Sequence, residues 1–276
     1  MPDYELSLIK PEVYSRIEHK LKALDKNNAE VRARLNRLSP DEWKNLHDFL
    51  IVRDTQSSLA IEDIKLDPAE VAVQYNTCFV AGIPVESRKA MEGMFAAWDL
   101  LDKKAARGEE LSVAMIQDTH NMVYHRINPT KAGVLRDGYV HRAGSSIKFC
   151  PPDEVKKRLT AVVNRVNQSK DHPVVKALFT GYAVFSVHPF FDGNSRTTRL
   201  LQNMLLTKEG YMQAHVPETF SVQYEKQREA AALGNPEGYY SFMLDMIERE
   251  LTQTREFLGM PKFEPPGKMS FLMNER

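Results

Sequence analysis

Apolar residues recur at helical spacing along most of this chain. Ile17, Leu21, Leu24, Val31, Leu35 and Leu38 form one stripe of an amphipathic helix. Ser39-Pro40-Asp41-Glu42 combines a capping box with proline at the first helical position. A second helix is therefore predicted from about residue 40, with Trp43, Leu46, Phe49 and Leu50 as its stripe. Asp67-Pro68 and Gly82-Ile83-Pro84 read as punctuation, and Met91, Phe95, Trp98 and Leu101 mark a helix between Glu86 and Arg107, ended by Gly108. Further helices are predicted over Leu111 to Tyr124, Asp153 to Gln168, Pro173 to Val187, Arg196 to Thr207 and, in the last stretch, from about Glu218 to Leu258. One segment departs from this pattern. RDGYVHRAGSSIKF, residues 136 to 149, offers two short extended runs around Gly144-Ser145 and predicts a small β-hairpin, closed by Pro151-Pro152. The expected fold class is mainly α with one hairpin, and the proline-rich end from Met260 reads as a poorly ordered tail.

Charge and length narrow the function without naming it. The chain has 276 residues, enough for a sizeable core, with 37 Lys+Arg against 37 Asp+Glu. No overall field draws it to nucleic acid or to an anionic membrane, so any polyanion site must be local. The most apolar run, Val174 to Phe191, carries Lys176, Gly181 and His188 and meets Pro189; it reads as a buried helix rather than a membrane span. Cys78 and Cys150 lack CxxC spacing, which argues against a disulfide framework or structural zinc. The opening MPDYELSLIKPE has neither a basic leader nor an apolar core, and the expectation is a cytoplasmic protein. His120 and His125, five apart, fall on different helix faces and are not expected to share a metal.

The chemistry concentrates in HPFFDGNSRTTR, residues 188 to 199. Pro189 ends one helix after His188, and Gly193-Asn194-Ser195 turns into the start of the next. Unpaired backbone N–H groups and the positive dipole end meet there, which makes a ready anion site. Arg196 and Arg199 project from nearly the same side of the first turn, an arrangement suited to a polyphosphate. Asp192 can hold Mg²⁺ against phosphates, and His188 can take a proton near neutral pH. Together these groups describe metal-assisted transfer from a nucleotide. The only Gly-Lys pair, Gly267-Lys268, lacks the rest of a P-loop.

Eleven of these twelve positions agree with the pattern HxFx(D/E)GNGRxxR, and the stretch resembles the signature of the Fic family. The resemblance implies a Fic-like helical bundle that transfers AMP from ATP to a Ser, Thr or Tyr hydroxyl of a target protein, with Mg²⁺. It assigns His188 as general base, Asp192 to the metal, and Gly193, Asn194 and Ser195 to the anion hole. Arg196 would hold the distal phosphates, with Phe190 as the buried anchor. Ser195 stands where the family has glycine; its Cβ adds bulk, and its hydroxyl can donate to a phosphate oxygen.

Upstream, Ser58 to Glu62 resembles the family's inhibitory pattern (S/T)xxxE(G/N), with Asp63 in place of Gly or Asn. The resemblance implies that Glu62 pairs with Arg199 and keeps out the γ-phosphate. The chain is then divided into an N-terminal region with the inhibitory helix (residues 1–84), a catalytic core (85–215), and C-terminal helices with a tail (216–276). The hairpin at 136–149, entered through Gly133-Val134-Leu135-Arg136, would be the flap on which a target protein docks as an added strand. Ser195 leaves three alternatives open: AMP removal, another phosphoryl-type transfer, or a catalytically weak nucleotide-binding module. A homo-oligomer is neither required nor excluded.

Overall fold

A computed structural model describes residues 8–142 and 145–261. Ten α-helices account for most of the described residues, beginning with α1 (Pro11–Leu35), α2 (Pro40–Ala60) and α3 (Pro68–Thr77). They continue as α4 (Val85–Ala106), α5 (Val113–Tyr124), α6 (Val155–Gln168), α7 (Pro173–Val187) and α8 (Asn194–Lys208), and finish as α9 (Ser221–Ala232) and α10 (Glu237–Phe257). Local chemistry explains the starts. Ser39 and Glu42 form the expected capping box of α2, and Asp67 and Glu70 form a second at α3, each with proline in the first turn. The Asp67-Pro68 punctuation is thus a helix start, with the same signature as Ser39-Pro40. On α2, Leu46 and Leu50 are buried while Trp43 and Phe49 stay exposed, so the buried stripe is narrower than expected.

Helices α7 and α8 form the centre. Nearly every residue of α7 is buried, and α8 packs against it as well as against α4 and α5. Around this pair, α6 and α9 pack on α7, α2 on α4, and α1 on α10. The expected C-terminal helical stretch is broken where Gly234, at φ 98°, precedes Asn235-Pro236, which separates α9 from α10.

The hairpin expectation is corrected by the structure. Among the described residues of 136–149 there is no strand; Ala143 and Gly144, at its tip, lie outside them, as does most of the expected tail (262–276). The segment's polar groups bond to side chains and to distant loops instead of forming a ladder. Arg136 N–H donates to the Pro189 carbonyl (2.9 Å), and the Arg136 guanidinium donates to the carbonyls of Gly138 (2.9 Å) and Cys150 (2.6 Å). Farther along, Ser146 N–H and the Ser145 and Ser146 hydroxyls all donate to Glu229 on α9. No helix among the described residues is long and apolar enough to cross a membrane.

Candidate active site

The stretch from His188 to Arg199 is held between α7 and α8 by two left-handed residues. His188 caps α7 at φ 50°, and Gly193 precedes α8 at φ 73°. Glycine is required at the second position. Besides the positive φ, a Cβ there would lie 3.1 Å from His120 Nε2. His120 supports this loop from α5. Gly133 N–H donates to its Nδ1 (2.9 Å), so Nε2 carries the proton and donates to the Asp192 carbonyl (3.0 Å). Its ring stacks on Phe190 at 3.7 Å between centroids, and burial pushes its pKa down to about 4, keeping it neutral. No role for His120 was legible in the sequence, because its link to Asp192, 72 residues away, leaves no local spacing signal.

Asn194 closes the loop from the other side. Its Oδ1 accepts from Phe190 N–H (3.0 Å) and its Nδ2 donates to the Phe190 carbonyl (2.8 Å), so the amide side chain is spent on loop geometry. The first helical bond of α8 comes from Thr197 N–H to the Gly193 carbonyl (3.1 Å), and no side chain caps the helix. The amides of Asn194, Ser195 and Arg196 are therefore left to face an anion. Arg196 lies beside them, buried; its Nε and Nη1 meet no acceptor among the described residues, and Nη2 is 3.9 Å from Asp192 Oδ2. Asp192 itself is exposed, with one oxygen accepting from Gly193 N–H (2.6 Å).

His188 sits against aromatic faces. Its ring stacks on Phe149 at 4.1 Å and meets Phe185 edge-on at 5.8 Å. Burial first, then the charges of Arg136, Arg228 and Arg142, push its pKa down to about 4. The imidazole is neutral at pH 7 and able to accept a proton. Arg136 also donates to the His188 carbonyl (2.7 Å), which fixes the backbone at this left-handed cap.

Upstream, the end of α2 meets Arg199. Arg199 Nε donates to Ser58 Oγ (2.8 Å), and Nη2 donates to the Ser58 carbonyl (2.8 Å) and to Glu62 Oε1 (2.9 Å). The end of α2 closes in a Schellman arrangement: Ile64 N–H bonds to the Leu59 carbonyl and Asp63 N–H to the Ala60 carbonyl, with Asp63 at φ 61°. Aspartate tolerates that conformation better than most residues. Behind this turn, Asp54 is buried and accepts from Trp98 Nε1 of α4 (3.1 Å) and Asn203 Nδ2 of α8 (2.9 Å). Burial lifts its pKa to about 6.

Two further residues escaped the sequence reading. Arg228 of α9 donates through Nη2 to Ser195 Oγ (3.0 Å) and to Glu225, whose carboxylate also pairs with Arg142 Nη1 (2.6 Å). Burial alone would raise the Glu225 carboxyl, but Arg228 and Arg142 outweigh it and hold it below the usual range.

A neutral imidazole, an exposed carboxylate, an uncapped helix start and buried guanidinium groups thus lie together, a set of groups chemically able to hold an anion beside a base. Residues 110–206 match the Fic/DOC family profile, and the chain carries a Fic domain. It is homologous to the protein adenylyltransferases named Fic from Drosophila. The Drosophila persimilis protein is 28% identical over 174 residues, which cover 62% of this chain and 34% of the relative. For the Drosophila virilis protein the identity is again 28%, covering 62% of this chain and 36% of the relative. This chain thus spans about a third of the length of these curated relatives. Among solved structures, Fic-1 from C. elegans superposes with a TM-score of 0.77 at 22% identity, covering 90% of this chain and 74% of that one. A Fic domain containing signaling protein from Bacteroides thetaiotaomicron gives a TM-score of 0.74 at 18% identity, covering 85% and 99%. These two share the fold.

Proposed function

We propose that this protein is an adenylyltransferase that moves AMP from ATP to a Ser, Thr or Tyr hydroxyl of a target protein and is restrained by its own Glu62. The observation that carries the reading is the convergence of neutral His188 with the uncapped start of α8, where Arg199 is already engaged by Glu62 at 2.9 Å. The names of the Drosophila relatives point to the same transfer.

In the proposed reaction the target hydroxyl oxygen bonds to the α-phosphorus while the bond from that phosphorus to the bridging oxygen of pyrophosphate breaks. The hydroxyl proton goes to His188, and pyrophosphate leaves with the bridging electron pair. The amides of Asn194, Ser195 and Arg196, with the helix dipole, stabilise charge on the phosphates, and Arg196 holds the distal end. Among the described residues no group of three or more His, Cys, Asp or Glu could cage a metal, while Asp192 offers a single exposed carboxylate. That donor set suits Mg²⁺ arriving with the nucleotide, since magnesium binds one or two carboxylates together with phosphate oxygens and water. Bound there by Asp192, it would neutralise phosphate charge.

The segment 136–149 is the proposed docking edge. Its described residues form no strand, Phe149 at its end stacks on His188 at 4.1 Å, and an extended target segment would dock alongside as an added strand. Glu62 competes with phosphate for the Arg199 guanidinium. The test follows label from α- or γ-labelled ATP onto protein, using wild type, Glu62→Gly and His188→Ala. Transfer of α-label that rises with the first substitution and vanishes with the second supports the proposal. Transfer of γ-label, or loss of the His188 dependence, overturns it.

A further inference from the structure

The Ser195 departure from the family pattern comes with a partner on α9. Arg228 is fully buried, at 0% exposure, with its Cζ 3.8 Å from the Phe185 ring centroid and 4.9 Å from that of Tyr224. Its Nη2 donates at once to both Glu225 oxygens (2.6 and 2.8 Å) and to Ser195 Oγ (3.0 Å). Burying a guanidinium is costly unless it is paired, so this contact is held by the packing of α9 against α7 and by Glu225 rather than by a mobile surface arm. A hydroxyl has one proton and two lone pairs. With a lone pair committed to Arg228, the Ser195 proton is turned away from the cation, beside the unpaired amides that open α8.

We infer that Arg228 is a positioning residue of the anion site, fixing the Ser195 hydroxyl so that its proton is donated to a phosphate oxygen of the nucleotide. The side chain that replaces glycine thereby adds a hydrogen-bond donor to the backbone amides. Glu225 keeps Arg228 in place and is shared with Arg142 of the docking segment, so the same α9 ion cluster contacts both ends of the site. This inference rests on the nucleotide-transfer reading for its ligand, and its test separates the two.

The test measures MgATP binding by titration calorimetry in the 276-residue chain carrying Glu62→Gly, with Ser195→Ala, Ser195→Gly, Arg228→Gln and Arg228→Lys added singly, and with Ser195→Ala combined with Arg228→Gln. Ser195→Ala leaves the helix and Arg228 intact, so it is informative even if Arg228→Gln folds poorly. Ser195→Ala and Arg228→Gln are each expected to raise Kd about tenfold, the loss of one charge-supported hydrogen bond. The double variant should be no weaker than the worse single one, and Arg228→Lys should recover part of the loss. Unchanged affinity in Ser195→Ala, or fully additive losses in the double variant, overturns the inference. The same variants incubated with α-labelled ATP test the reaction independently: coupled binding losses without label transfer would leave the positioning role standing and remove the adenylyltransferase reading.

Discussion

Replacing Glu62 with glycine removes one arm of a well-placed ion pair. The Glu62–Arg199 distance is 2.9 Å, with the arginine side chain 6% exposed and the glutamate 30% exposed. A hydrogen bond to a charged group in such a setting contributes about 1.5–3 kcal/mol, and about 1.4 kcal/mol corresponds to a factor of ten. The lower end applies, because Glu62 is partly solvated and Arg199 keeps both of its bonds to Ser58. Once the carboxylate is gone, a phosphate no longer has to displace it, so label transfer from α-labelled ATP should rise about tenfold at sub-saturating nucleotide. Glu62→Gln keeps an acceptor but drops the charge and should fall between wild type and Glu62→Gly. Thermal melting adds a second readout: without nucleotide the glycine variant leaves Arg199 less compensated and melts lower, and saturating MgATP should raise its Tm more than that of wild type. Equal labelling by wild type and Glu62→Gly at every nucleotide concentration would refute the competition argument.

Other outcomes follow from the same geometry. His188→Ala should abolish transfer while MgATP still binds; because the His188 pKa is lowered to about 4, the base is neutral through the physiological range, so kcat/KM should stay flat on this account near neutrality and fall only as pH drops toward about 4. Asp192→Asn, at an exposed position, should leave Tm nearly unchanged yet weaken the Mg²⁺ dependence of nucleotide binding, measured by titration with and without the metal. Arg136→Met should destabilise the fold by about 2–4 kcal/mol in urea titration, since it strands the carbonyls of His188, Gly138 and Cys150. Gly193→Ala should lower Tm and nucleotide affinity together, because the added Cβ meets both a left-handed φ and the His120 ring.

What could be read from the chain was what neighbours in sequence decide. The helix-ending proline, the turn and the two arginines of 188–199 lie within one short stretch, and Ser58 with Glu62 within about one turn, so their patterns are local even though Arg199 meets them from 141 and 137 residues away. Helix α3 was equally local: Asp67-Pro68-Ala69-Glu70 repeats the logic of Ser39-Pro40-Asp41-Glu42 and could have been read the same way. The segment 136–149 misled because alternating residues suit a strand only where a ladder exists, and here the Arg136 guanidinium and the Glu229 carboxylate take up the bonds. His120 and Arg228 were illegible for a different reason. Their value lies in one distant partner each, the Asp192 carbonyl and the Ser195 hydroxyl, and no spacing announces either.

The place of Asp54 limits how the proposed restraint by Glu62 could be lifted. Four residues before Ser58, it ties α2 to Trp98 and Asn203 in the interior, while Leu46, Leu50 and Leu59 of the same helix belong to the hydrophobic core. The proposed off-switch and the scaffold would therefore be one piece of chain. A cut that removed Glu62 along with α2 before it would expose the faces of α4 and α8 that α2 covers, and is expected to yield an unstable remnant rather than a more active protein. On the proposed reading, release would have to be local, by turning the Glu62 side chain or fraying the single turn from Ala60 to Ile64, and a ligand or partner that achieved it would need to reshape only those few residues.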